Sequence, residues 1–306
     1  MVDPILSRSG VCDVEHVCGA RCDRASPPDL VLEVPHGATL AAHFTELRRE
    51  FVGDVAEDLR DFFFVNTDVG APELANAIAA AVVTADPRRS AVVVRCLLPR
   101  TFVDCNRRID RASVPAASAA GQMTPGMPPW IRDERDRALL LDRYFAYRDV
   151  ATAAFDAVCG SGGLGLCVHT YAPRSVDVAV DENIVASMHA AYAPERATSW
   201  PLRSSVDLIT HDPDGHEMAS PKLVNVALSE LATAGFDVAQ NSAYSLHPIT
   251  LAWEFATKYP GSTLCFEVRR DLLVPEFTPF REMIPDAAKV RRAAAPFAAA
   301  VLATLG

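Results

Sequence analysis

Short apolar runs rich in β-branched residues recur along the chain, and longer stretches of helical spacing lie between them. The runs predict strands at 30–35, 62–66, 90–96, 164–169, 206–210, 236–239 and 262–268. Periodic apolar positions predict helices at 71–85, 133–158, 220–234 and 248–258, with an alanine-rich last helix at about 286–304. The stretch "ASPKLVNVALSELATAGF" carries its own punctuation: Ser220 as N-cap, Pro221 in the first turn and Gly235 just past the end. Strands alternating with helices require a mainly parallel sheet covered on both faces, which is an α/β fold.

Two segments break this rhythm. Residues 111–132 are rich in Pro, Gly and small side chains, and residues 171–203 mix polar and aromatic positions before ending in "SWPLRSS". Long irregular connections in a compact α/β domain are more often functional than accidental, so both read as lids. The organisation expected is an N-terminal extension over 1–29 and one catalytic domain over 30–306.

Composition narrows the function classes. The 306 residues are 50% hydrophobic, ample for a sizeable core, and carry a formal net charge of −10. That charge argues against nucleic acid or an anionic membrane as main partner. The sequence has no apolar run of membrane-spanning length and no secretory signal pattern at its N-terminus. Most of the 8 cysteines sit in apolar runs such as "VVVRCLL" and "STLCFEV", as reduced buried thiols do, so a cytoplasmic location is expected. Cys12, His16, Cys18 and Cys22 hold four donors for a structural zinc knot, but paired CxxC knuckles are missing.

In sheets of this kind ligand groups gather at the carboxyl ends of the strands. His36 follows the first predicted strand on a Pro-His-Gly corner, Asp68 follows the second, and Asp104, Asn106, Arg107 and Arg108 follow the third. His169 follows the fourth, and Glu267 stands inside the last with Arg269 on the same face. Taken singly, each has a structural reading: a turn or core histidine, Asp68 as a helix cap, Arg107 in a surface ion pair. Glu267 resists one, since a carboxylate among Leu264, Cys265, Phe266 and Val268 needs a partner or a task. Two imidazoles and a carboxylate can hold Zn²⁺ with one position left for water, and a further carboxylate nearby can move the proton.

The stretches "VPHGA", "NTDVGAPEL", "RTFVDCNRRID", "GLCVHTY", "DLITHDPDG", "LATAGFDVAQNSAY" and "LCFEVRRDLL" occur in the order found in N-formylglutamate amidohydrolases, over roughly residues 30 to 275. The chain thus resembles that family, itself related to zinc carboxypeptidases and aspartoacylases. The resemblance implies a mixed, mainly parallel eight-stranded sheet between helices, of the zinc-carboxypeptidase, phosphorylase/hydrolase-like type. It implies His36, Asp68 and His169 as ligands of one Zn²⁺ or another divalent ion, with Glu267 as general acid/base. Asn106 and Arg107 would bind substrate carboxylate or oxyanion, Arg107 as the favoured clamp, and Arg203, Arg269 and Tyr244 are further substrate-binding candidates. Where carboxypeptidases carry a ligand glutamate three residues after the first histidine this chain has Thr39, so Asp68 supplies the carboxylate, with Glu73 as the fallback.

The departures are specific. The family reads Pro-His-Ser-Gly where this chain has Pro-His-Gly-Ala, and His-Ser where it has His169-Thr170. Ser245, Leu246 and His247 replace glycines that follow the family's tyrosine. These changes are expected to line the pocket, which leaves the chemistry intact and the substrate open. The expected activity is zinc-dependent hydrolysis of an N-formyl or N-acyl amino acid, or of a short peptide with a free carboxylate. The alternatives are the same centre acting on another amide in a specialised biosynthetic pathway, a metal- or ligand-binding protein on a retired hydrolase scaffold, and cysteine catalysis through Cys105 or Cys167. Self-association into a homo-oligomer is left open.

Overall fold

The computed structural model describes residues 5–306. Its elements in chain order are β1 (Cys12–Cys18), β2 (Leu30–Val34), α1 (Ala41–Arg49), α2 (Leu59–Asn66), α3 (Ala71–Ala85), β3 (Ser90–Cys96), α4 (Glu134–Val158) and β4 (Leu164–Tyr171). There follow α5 (Ile184–Ala191), α6 (Pro194–Ala197), β5 (Val206–Ile209), α7 (Pro221–Thr233), β6 (Val238–Gln240), α8 (Leu251–Lys258), β7 (Thr263–Arg269) and α9 (Ala287–Leu305). The strands form a seven-stranded mixed sheet in the order β1-β3-β2-β4-β7-β5-β6. The three centre pairings, β3–β2, β2–β4 and β4–β7, are parallel, while β1 on β3 and β5 on β7 are antiparallel. This is the expected mixed α/β architecture, with seven strands where the family resemblance implied eight.

Strand alternation sorts side chains between two cores. Leu30, Leu32 and Val34 of β2, Leu166 and Val168 of β4, and Leu264, Phe266 and Val268 of β7 pack in one core with α3, α7 and α9. The opposite face carries Val31, Cys167 and Cys265, packed with α4, α8 and the phenylalanines of α1 and α2. Glu33, His169 and Glu267 occupy the same alternation as this second set, so the polar end of the sheet opens on the α4 and α8 side. Among the described residues no helix is long and apolar enough to cross a membrane.

Two sequence readings are corrected here. Residues 62–66, expected as a strand, lie in α2, where Leu59, Phe62 and Phe63 recur at helical spacing and are buried. A short apolar run carries no period of its own to tell strand from helix, and burial of all its residues suits either. Of the residues weighed as a metal knot, Cys12, His16 and Cys18 lie in edge strand β1, paired in register with β3 from Cys12↔Cys96 to Cys18↔Ser90, and Cys22 lies beyond it. An extended strand advances about 3.3 Å per residue, which carries Cys12 far from Cys18 and keeps the four donors from meeting at one ion. His16 instead has Nε2 3.2 Å from the Ile5 carbonyl oxygen.

Candidate metal centre

His36 lies two residues beyond β2, at the carboxyl end where the chain turns toward α1. Asp68 is set by the α2–α3 junction: Gly70 at φ 87° turns the chain into α3 with no room for a β-carbon, since Leu273 stands 2.8 Å from where it would be. The Asp68 carboxylate makes no capping bond to α3, so the helix-cap reading of this residue fails. His169 and Glu267 sit side by side in the parallel β4–β7 ladder.

These elements bring three donors together. Asp68 Oδ2 lies 3.3 Å from His36 Nδ1 and 3.0 Å from His169 Nδ1. All three residues are 2–3% exposed, and their donor atoms lie within 4.8 Å of one another. Each partner is in turn held from outside. His36 Nε2 is 2.8 Å from Asp104 Oδ1, and Asp104 also accepts from Arg100 Nε and lies 3.5 Å from Arg107 Nη2. The other Asp68 oxygen accepts from Arg270 Nη2 at 3.3 Å, and His169 Nε2 is 3.4 Å from the Asn106 side-chain amide. Two imidazole nitrogens and a carboxylate oxygen, turned toward one point with their outer atoms occupied, form a donor set that fits zinc or a similar divalent ion.

The electrostatics follow from burial and from these partners. Burial alone would raise the Asp68 carboxyl, but the charges and hydrogen bonds of His36 and His169 hold it well below the carboxylate range. Asp104 is depressed likewise, against its burial, by Arg100 and Arg107. Burial disfavours charge on His169, yet its hydrogen bond with Asp68 keeps its pKa well above the ordinary value. Burial pushes Glu267 up to about 7, and its Oε2 is buried with no hydrogen-bond partner.

A cavity of about 600 Å³ opens over this cluster. His36, His169, Asp104, Asn106, Arg100, Arg107, Glu267, Arg203 and Tyr244 line it, with Phe62, Met123, Trp130, Val178, Val180 and Met188 as apolar wall. The two irregular segments supply much of that wall and are tied to each other. Ser118 and Val180 exchange backbone hydrogen bonds, Gly121 N–H donates to Asp177, and Arg132 pairs with Glu182.

The remaining candidates fall elsewhere or are engaged. Arg107 is buried, with Nε and Nη2 donating to Thr124 and Nη1 to the Asn106 carbonyl. Arg269 does not line the cavity; it grips Asp271 with two bonds and donates Nη1 to the Arg203 carbonyl at 2.9 Å. Thr39 accepts from Arg95, and Glu73 sits in the first turn of α3, outside the cluster. Of the family departures, Ser245, Leu246 and His247 line the cavity, but Gly37 and Thr170 do not. Gly37 faces Arg95 and the Cys96 carbonyl, and the Thr170 hydroxyl donates to Val69. Cys105 and Cys167 are buried with thiols pushed well above the ordinary range by burial, and neither lines the cavity. A protonated, inaccessible thiol is a poor nucleophile. The other carboxylate–imidazole group among the described residues, Asp212, Asp214 and His216, closes on itself in a surface turn.

Sequence reasoning missed Arg100, Arg270 and Glu33 altogether. Only Glu33 left a signal: a single charge in the otherwise apolar run "LVLEV".

The sequence profile of the N-formylglutamate amidohydrolase family matches residues 29–274. No functionally curated protein matches the chain. Among solved structures it is similar to N-formylglutamate amidohydrolase from Ralstonia eutropha JMP134, with TM-score 0.58, 20% identity, and 95% of this chain and 96% of that one covered. It is also similar to gene product Atu2144 from Agrobacterium tumefaciens, with TM-score 0.51, 16% identity, and 98% and 97% covered. At such identities the structural likeness establishes the fold, and the profile match over most of the chain establishes kinship: the protein belongs to the N-formylglutamate amidohydrolase family.

Proposed function

We propose that the protein is a zinc-dependent amidohydrolase that cleaves an N-formyl or other N-acyl amino acid. The observation that carries this reading is the convergence of His36, Asp68 and His169, whose two imidazoles line one cavity with Glu267 and its unpartnered oxygen, in a chain of this family. Zinc held by His36, Asp68 and His169 would act as Lewis acid on the scissile carbonyl and bring the pKa of a water toward about 7.

The chain's own residues supply the rest. Glu267, ionised, takes the proton from the attacking water at Oε2 and later delivers it to the leaving amine. Asn106, in contact with His169, and Arg100, joined to His36 through Asp104, are the donors for charge developing on the carbonyl oxygen. Asp104 accepts at His36 Nε2, which would leave the Nδ1 lone pair for a metal ion shared with Asp68. The tie between segments 111–132 and 171–203 supports their reading as a lid that excludes water from these groups.

A second reading keeps the centre and changes the amide. Phe62, Met123, Trp130, Val178 and Met188 offer more apolar surface than the smallest acyl group can cover, which favours a bulkier acyl or side chain. The non-catalytic reading is disfavoured by Glu267, because a binding module has no use for a buried unpartnered base. The test is metal content per chain in wild type, His36→Ala and His169→Ala, followed by amine release from N-formyl-L-glutamate and from N-acyl amino acids of increasing acyl length. Near one zinc per chain, absent from both variants and accompanied by turnover, supports the reading. Zinc retained in both variants, or none after reconstitution, ends it.

A further inference from the structure

We infer that Arg203, and not Arg107, is the residue that takes the substrate's carboxylate. This rests on the hydrolase reading above and assigns one end of its substrate. Arg100 is paired with Asp104, and Arg107 shares that same carboxylate while its nitrogens are spent on Thr124 and the Asn106 carbonyl. Arg107 therefore acts as a strut: it ties segment 111–132 to the "DCNR" turn through Thr124.

Arg203 is different. It lines the cavity, and no carboxylate is in ion-pair contact with it among the described residues. Its guanidinium carbon stands 4.9 Å from the Tyr171 ring centre and 5.5 Å from that of Tyr244. Nη2 donates to the Tyr244 hydroxyl at 3.0 Å, and Nε is buried without a partner. Two aromatic faces restrict the fork to one orientation, so little rotamer freedom remains to be lost on binding. The backbone beneath is fixed as well: Arg269, locked onto Asp271, donates to the Arg203 carbonyl, and Arg203 N–H donates to Pro173.

Arg203 and Glu267, opposite charges that each keep one buried atom without a partner, line the same cavity, and no hydrogen bond joins them. A molecule bearing a carboxylate at one end and an amide near the other completes both. The carboxylate accepts from Arg203 as a charge-assisted pair, and the amide nitrogen faces Glu267. Arg269 is then a positioning residue, acting on substrate only through Arg203.

The test measures binding without turnover. Glutarate, a dicarboxylate with no amide to cleave, is titrated calorimetrically into the metal-loaded protein beside its neutral counterpart glutaramide. Wild type binds glutarate in preference to glutaramide. Arg203→Gln loses at least about tenfold in glutarate affinity and most of the preference, since a hydrogen-bonded charge is removed. Arg203→Lys, which keeps the charge and serves as the control for folding, recovers part of both. An unchanged glutarate affinity in Arg203→Gln, or wild-type binding that ignores the difference between the two ligands, overturns the assignment. Hydrolysis of N-formyl-L-glutamate is followed in parallel. Absent turnover of this compound and of N-acyl amino acids of increasing acyl length, with the expected binding pattern, sinks the hydrolase reading and leaves the clamp standing. Turnover with binding indifferent to Arg203 does the reverse.

Discussion

Arg270 holds Asp68 from behind. Its Nη2 lies 3.3 Å from Asp68 Oδ1, while Asp68 Oδ2 faces both His36 and His169, so one carboxylate is shared between a fixed cation and the candidate metal position. The same guanidinium donates to the carbonyls of Val65 and Thr170 and thereby ties α2 to the end of β4. Arg270→Met leaves a buried carboxylate without its cation. The expected cost is about 3–5 kcal/mol of stability in the metal-free protein, read by urea unfolding. Zinc affinity, read by competition with a chelator, should fall about 10- to 100-fold, because the oxygen facing the imidazoles loses its anchor. Unchanged affinity would show that Asp68 is held well enough by its backbone alone.

In the proposed mechanism Glu267 sets the acid side of the pH profile. Its carboxyl is pushed up to about 7 by burial, against the pull of His169 and Arg203, and it works as a base only when ionised. In the proposed mechanism kcat/KM therefore falls as pH drops through about 7, and Glu267→Gln removes both that limb and about 10²–10⁴ of the rate while retaining metal. A stability effect of definite sign accompanies this in the metal-free protein. The folded state holds the Glu267 proton more tightly than the unfolded chain does, so stability declines as pH rises from 4.5 to about 7. The Gln variant should lack that component in paired melting curves, and a wild-type decline of equal size in the variant would place its origin elsewhere.

Glu33 offers a separate stability test. It is wholly buried in β2, accepts from the Tyr147 hydroxyl through Oε1 and has no partner at Oε2. Burial raises its pKa, opposed first by the Tyr147 bond and then by the His169 and His36 charges. The folded state again binds the proton more tightly, so the wild-type contribution is intact below 4.5 and is lost as pH rises through the elevated folded value. Glu33→Gln should thus gain stability relative to wild type at alkaline pH and match it at acid pH. Tyr147→Phe, which removes the donor and keeps the packing, should cost about 1–3 kcal/mol. Chemical denaturation at both pH values checks each sign.

Gly37 explains one departure from the family pattern. A β-carbon there would stand 2.6 Å from Arg95 Cγ and 2.9 Å from the Cys96 carbonyl oxygen, and the Arg95 side chain itself donates to the Gly37 carbonyl. A side chain can give way, but the backbone of β3 cannot do so cheaply. Restoring the family's serine by Gly37→Ser should cost about 1–3 kcal/mol through overpacking and weaken zinc binding through the neighbouring His36. A serine variant as stable as wild type would show that β3 yields after all.

Much of the sheet is legible in the chain because its strands are short β-branched runs and its longer helices are amphipathic or capped, as with Ser220 and Gly235 around α7. The polar residues at strand ends could be gathered for the same reason: parallel strands deliver their carboxyl ends to one edge, so His36, His169 and Glu267 could be expected together before any contact was known. Period fails where a run is too short to show one. Hence residues 62–66 turn out helical, and β1, a half-exposed edge strand, hid behind its cysteines. Tertiary structure alone decided the partners. Arg107, which reads as a ligand-facing arginine, is consumed by Thr124 from a loop 17 residues away. Arg203, one substrate-binding candidate among several in the sequence, is set between Tyr171 and Tyr244 with no carboxylate in ion-pair contact among the described residues. Local sequence fixes where a charged side chain starts, through the strand or turn that carries it. Whether that charge is neutralised depends on groups far along the chain, and only the packed fold brings them within reach.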